Sequence, residues 1–177
     1  MVQVVLMAAA ILAFAVAAVV LYALTRPRTF HVARAAFIDA PPDSIHAILT
    51  DLRRGAEWSP YEKKDPQMKT SFEGPPTGPG AVMHWDGNRD VGAGSLTIAD
   101  ASPHRIALKL DMTRPMRAHN IVEYTLAPRG GGTDLTWAVH GPMNPLSRVM
   151  CLFLDMDKMI GRDLEQGLRD LTALAER

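Results

Sequence analysis

The chain contains a single cysteine, Cys151, so no intrachain disulfide can staple it and its fold must rest on buried apolar surface. An excess of charge of either sign is lacking too: 19 basic residues balance 19 acidic ones. That balance gives no global pull toward nucleic acid or an acidic surface, and no nucleic-acid partner is expected. Paired cysteines, an H-E-x-x-H run and closely spaced histidines are all missing, so no metal site is expected. The glycine clusters at 78–80, 92–94 and 130–132 follow no Walker or dinucleotide pattern, and no cofactor is expected. Cys151 lies in an apolar helical run and reads as a small buried hydrophobe, not a nucleophile.

Charged side chains are also absent from residues 1–25. From Val4 to Leu24 the chain is almost wholly aliphatic or aromatic, and at about 1.5 Å per residue this run spans about 30 Å, the thickness of a hydrocarbon core. A cleaved signal peptide is the rival reading. It would need a basic segment before the run and a small-x-small site after it, whereas Met1-Val2-Gln3 precedes and Tyr22-Ala23-Leu24-Thr25-Arg26 follows. The expectation is an uncleaved single-pass anchor in the inner (cytoplasmic) membrane, with the lipid bilayer as partner through residues 4–24. Arg26, Arg28 and Arg34 follow the run and no Lys or Arg precedes it, which orients the C-terminal domain to the cytoplasm.

The remaining chain is predicted to be one folding unit, giving two parts: residues 1–28 as anchor and basic collar, and residues 29–177 as the folded domain. Alternation over 29–38 predicts a strand with Phe30, Val32, Ala36 and Ile38 on one side. Asp39-Ala40-Pro41-Pro42-Asp43 opens a short helix, because proline fits a first turn and Asp43 suits its positive end. Trp58-Ser59-Pro60-Tyr61 is read as a second short helix or an irregular turn. Strands are then expected at 68–73, 81–86, 92–100, 104–112, 117–127 and 133–141, separated by turn-forming residues. From Asn144 onward a helical period places Ile160, Leu164, Leu168 and Leu171 on one stripe, predicting one long helix laid across a curved antiparallel sheet.

Four segments carry a family resemblance: Ile38-Asp39-Ala40-Pro41; Trp58-Ser59-Pro60-Tyr61 with Asp65-Pro66-Gln67-Met68; Trp85-Asp86-Gly87-Asn88 before Val91-Gly92-Ala93-Gly94; and the run Phe153 to Leu168. The chain resembles, over roughly 30–175, the START-like (SRPBCC) superfamily of polyketide cyclase/dehydrase and lipid-transport-like proteins. The resemblance implies an α+β helix-grip (START-like, Bet v 1-like) fold with a cavity between sheet and C-terminal helix. Relatives use that cavity for apolar or amphipathic ligands. It does not imply one reaction.

Candidate ligand contacts are Trp58, Tyr61, Met83, Trp85, Met156, Ile160, Leu164 and Leu168, each with simple core packing as the competing role. His84 and Asp86 share a strand face, and His119 and Glu123 share another, so either pair is an alternative polar site. No proton donor or nucleophile is specified beside them, and no catalytic residue is assigned. Asp155, Asp157 and Asp163 are expected to cap or pair locally. Gly161 and Gly167, inside the helical run, imply close approach to the sheet or room for a ligand. The leading reading is a membrane-tethered module that binds a hydrophobic or amphipathic small molecule, such as a lipid-derived one, and is not an enzyme. The alternatives are a cyclase/dehydratase-like enzyme in the same cavity, or a non-enzymatic membrane interaction protein.

Overall fold

Alternating apolar residues and Gly- or Pro-bearing separators produce seven strands in one antiparallel sheet, in the computed structural model that describes residues Met1–Arg177. The chain runs α1 (Val2–Thr25), β1 (Thr29–Ile38), α2 (Pro42–Leu49), a 3₁₀ turn (Leu52–Arg54), α3 (Gly55–Trp58) and α4 (Pro60–Lys64). The meander β2 (Lys69–Glu73), β3 (Val82–Asp86), β4 (Ala93–Ser102), β5 (Arg105–Arg114), β6 (Ala118–Arg129) and β7 (Gly132–Pro142) follows, then α5 (Pro145–Met150) and α6 (Met156–Ala175). Neighbouring strands are ordered β1-β7-β6-β5-β4-β3-β2, so the first strand returns to pair with the last. Register shifts between β4 and β5, at Ala93/Gly94 and Ile98/Asp100, add the local twist that curves the sheet.

The concave face carries the inward set of each strand. Val32 pairs with Val139, Tyr124 with Trp137 and Leu126 with Leu135, and all six side chains are buried. α6 lies against this face and buries Gly161, Leu164, Gly167, Leu168 and Leu171. α2 opens on Pro42 with Asp43 in its first turn and contributes Ile45, Ile48 and Leu49 to the same core. Burial of a large aliphatic side chain stabilises by about 1.5–3 kcal/mol, so this continuous set holds the layers together.

Three features differ from the sequence expectation. The predicted single helix from Asn144 is two helices, interrupted over 151–155. Asp155 causes the restart: its carboxylate accepts from the Lys158 N–H at 3.0 Å, capping α6. Trp58-Ser59-Pro60-Tyr61 likewise spans two short helices, with Ser59 ending α3 and its Oγ accepting from the Tyr61 N–H at 3.4 Å to start α4. Asp157 and Asp163 reach across the fold: Asp157 pairs with Arg34 at 2.9 Å and Asp163 with Lys64 at 2.6 Å.

α1 is long and apolar enough to cross a membrane, and of its residues only Ala23 is buried. Tyr22 near its end accepts a hydrogen bond from Arg26 at 2.7 Å, placing an aromatic ring and a cation where membrane–water interfaces favour them. Its exit is tied to α5, because buried Arg148 donates through Nη1 to the carbonyls of Leu24 at 3.0 Å and Arg26 at 3.3 Å.

Candidate ligand cavity

Between the concave sheet, the α2–α4 layer, α5 and the start of α6 lies a cavity of about 430 Å³. Small-molecule sites typically fall between about 300 and 1,000 Å³, and this one is apolar: 27 of its 35 lining residues are hydrophobic. Eight of the ten methionines line it: Met68, Met83, Met112, Met116, Met143, Met150, Met156 and Met159. Of the two others, Met1 caps the start of α1 and Met7 lies within it. Methionine is unbranched and polarizable, so a wall of thioethers adapts to ligand shape at low cost.

All three tryptophans also line the cavity. Trp58 and Trp137 meet edge-on at 5.4 Å between ring centroids, and Tyr124 lies 5.3 Å from Trp137. Trp85 donates its indole N–H to the Val91 carbonyl at 3.4 Å, whereas the indole nitrogens of Trp58 and Trp137 have no partner. Desolvation pushes the phenols of Tyr61 and Tyr124 well above their ordinary range, so both stay neutral. Desolvation also raises the carboxyl of Glu62 at the cavity wall.

The rim is apolar. Met116, Met150, Leu154 and Met159 line the cavity and are also exposed, and Phe153 beside them is 75% exposed. This rim belongs largely to α5 and the segment after it, which Arg148 ties to the end of α1.

Of the residues singled out from sequence, Trp58, Tyr61, Met83, Trp85, Met156 and Ile160 line the cavity together. Leu164 and Leu168 are fully buried in the α6–sheet core and are not part of its wall. The two polar pairs lie outside it. His84 faces Glu73 at 3.6 Å and Asp86 pairs with Arg114. His119 pairs with Asp111, and Glu123 with Arg105 at 2.5 Å. His84 with Asp86, and His119 with Glu123, share strand faces opposite the inward residues Trp85 and Tyr124, so neither pair orients a base toward the cavity. The structure gathers no cluster of three or more metal-ligating side chains. Trp137 and Tyr124 were not singled out, although the alternation Leu135, Trp137, Val139 places Trp137 with the inward set.

A curved antiparallel sheet closed on a long C-terminal helix defines a helix-grip protein of the START-like kind. The chain belongs to the polyketide cyclase/dehydrase and lipid transport family, whose sequence profile matches residues 29–176. Protein CV1439 from Chromobacterium violaceum has a similar fold, with a TM-score of 0.60 and 19% identity over 86% of this chain and 99% of that one. Major latex-like protein 151 from Panax ginseng is similar at a TM-score of 0.58 and 14% identity, covering 85% of this chain and all of that one. StfQ, a di-domain ARO/CYC protein from the steffimycin biosynthetic pathway, matches at 0.59 and 13% identity, over 84% of this chain and 51% of its own. No curated protein matches the sequence. The family and the fold agree with a cavity for hydrophobic ligands.

Proposed function

We propose that the chain is a membrane-tethered binding protein that holds a hydrophobic or amphipathic small molecule in the cavity under α6. Residues 1–28 serve as anchor and collar, and residues 29–177 as the binding domain. The observation that carries this reading is the methionine-rich cavity of about 430 Å³, whose exposed apolar rim adjoins the exit of α1. That placement sets the mouth against lipid, so an apolar ligand passes between bilayer and cavity without crossing water. The domain faces the cytoplasm in this reading, because Arg26 and Arg28 directly follow the anchor. The role is binding and not catalysis: the positions of His84, Asp86, His119 and Glu123 on the outward strand faces support it.

Because all three tryptophans line the cavity, their fluorescence reports on its occupancy. Full-length protein in amphipol, titrated with a mid-chain brominated alkane, is expected to show saturable quenching through bromine contact with the indoles. Quenching that stays linear and weak, as for a solvent-exposed fluorophore, would overturn the binding reading. Fusing a reporter to the C-terminus tests the orientation: activity of a cytoplasm-dependent reporter is expected, and activity of a reporter that matures only outside the cytoplasm would contradict it.

A further inference from the structure

We propose that the open cleft between the exit of α1 and the segment joining α5 to α6 binds the phosphate of an anionic phospholipid, with Arg148 and Arg26 as its donors. The lipid belongs to the leaflet at that exit. This rests on the membrane-tether reading above, is independent of what fills the cavity, and adds a second site.

Charge is the first argument. The cleft, of about 780 Å³, is walled by Tyr22 and Arg26 from the end of α1, by Arg148 of α5, and by Phe153, Leu154 and Asp155 of the joining segment. Phe30, Met143, Cys151, Leu154 and Met156 wall both the cleft and the ligand cavity, so the two sites are neighbours. Their charge is opposite. Asp51, Glu62 and Asp90 line the cavity with no Lys, Arg or His, whereas the cleft has two guanidiniums and one carboxylate. That carboxylate, Asp155, is already engaged in capping the positive end of α6, and the cleft stays net positive.

Arg148 is the second argument. It is 7% exposed, forms no ion pair, and makes two hydrogen bonds, both from Nη1 to the carbonyls of Leu24 and Arg26. Its Nε is enclosed without a partner, whereas Nη2 is neither enclosed nor bonded. A buried cation without a counter-ion keeps a desolvation cost that carbonyl dipoles offset only in part. Clamping α1 to α5 accounts for Nη1 and leaves Nη2 for a ligand. Arg26 is exposed, bonds the Tyr22 hydroxyl and has no carboxylate partner either.

Position is the third. Both arginines sit where the apolar run of α1 ends, the level of lipid phosphates if α1 spans the bilayer. Exposed Phe153 and Leu154 beside them offer an apolar wall to the glycerol and upper chain. A soluble phosphate would use the arginines alone; a phospholipid uses both.

The test titrates full-length protein in detergent micelles with an equimolar mixture of dioleoyl phosphatidylglycerol and dioleoyl phosphatidylcholine, and counts bound lipid by native mass spectrometry. Phosphatidylglycerol is expected to be retained over phosphatidylcholine by roughly fivefold, the worth of one basic side chain beside anionic lipid. Arg26→Gln and Arg148→Gln should each bring the ratio toward parity. Arg28→Gln removes the same charge from the collar outside the cleft and should leave the ratio unchanged. Arg148 also ties α5 to α1, so Arg26→Gln, which gives up only a bond to Tyr22, is the deciding variant. A ratio near one in the parent, a ratio kept in Arg26→Gln, or an equal fall in Arg28→Gln would overturn the proposal. Displacement of the lipid by inorganic phosphate, but not by chloride of equal ionic strength, would overturn it in favour of a soluble anion. Full-length protein that fails to float with liposomes would overturn the tether reading itself, a result distinguishable from lipid binding without preference.

Discussion

The guanidinium of Arg34, on the inward face of β1, occupies the space that a side chain at Gly161 of α6 would need. Its Nε donates to Glu165 at 2.7 Å and its Nη2 to Asp157 at 2.9 Å, so one arginine grips α6 on both sides of the glycine. The glycine costs about 1 kcal/mol of helix propensity relative to alanine. Close approach of a bidentate cation explains why it sits in mid-helix.

Gly161→Ala should therefore destabilise the protein despite alanine's better propensity. The clash must displace either the helix or a guanidinium held by two carboxylates, at a cost of about 1–3 kcal/mol. Urea unfolding of the two proteins measures it. In an Arg34→Ala background the same glycine substitution should cost less, because the added methyl then meets open space; an equal cost in that background would show that the clash is not with Arg34.

Acid should loosen the same contact. The Arg34 hydrogen bond holds the Asp157 carboxyl below the usual carboxylate range. A carboxyl depressed by folding contributes stability that is complete above its unfolded pKa, about 3.9, and is lost as pH falls through the folded value. Stability should thus decline below about pH 4 and show no matching change near neutrality. Asp157→Asn should flatten this acid limb in a series of thermal melts, with a modest amplitude because the pair is exposed.

Core and cavity should respond differently to mutation. Leu164 is fully buried away from the cavity wall, so Leu164→Ala should cost about 2–5 kcal/mol while leaving ligand selectivity unchanged. Leu110 lines the cavity from β5, and Leu110→Trp should fill it. Binding of methyl tetradecanoate should then be lost while the melting temperature stays near that of the parent.

Arg148 should control how firmly the anchor meets the domain. Arg148→Ala leaves the carbonyls of Leu24 and Arg26 without their donor and detaches α5 from the end of α1. Trypsin cleavage after Arg28 in the full-length protein should accelerate. An unchanged cleavage rate would mean that the junction is held by other contacts.

The strands were legible because alternation and turn chemistry are local. Phe30, Val32, Ala36 and Ile38 share a face that the sequence alone displays, and Gly130 and Gly131 mark the β6–β7 turn. Arg34 shares that inward face, yet its partners lie 123 and 131 residues away, so no local pattern announces an inward cation. The break over 151–155 is hidden by an apolar run, and only the capping potential of Asp155 marks the restart. α6 shows one apolar stripe, but only its N-terminal turns face open space. Met156, Met159 and Ile160 line the cavity, whereas Leu164 and Leu168 press on the sheet. Periodicity reports which side of a helix is buried, not whether that side meets side chains or a void. The acids Asp51, Glu62 and Asp90 and the indoles of Trp58 and Trp137 that line the cavity come from α3, α4, β7 and separate loops, and only the closed fold brings them together.

The most direct test of the central claim is native mass spectrometry of the full-length protein taken from its own membrane into detergent-free nanodiscs, with solvent extraction of what it carries. The account predicts a retained hydrophobic or amphipathic molecule in the parent and its loss in Leu110→Trp. An empty mass in both proteins, with no uptake of methyl tetradecanoate by the parent, would contradict the claim that this cavity binds a ligand.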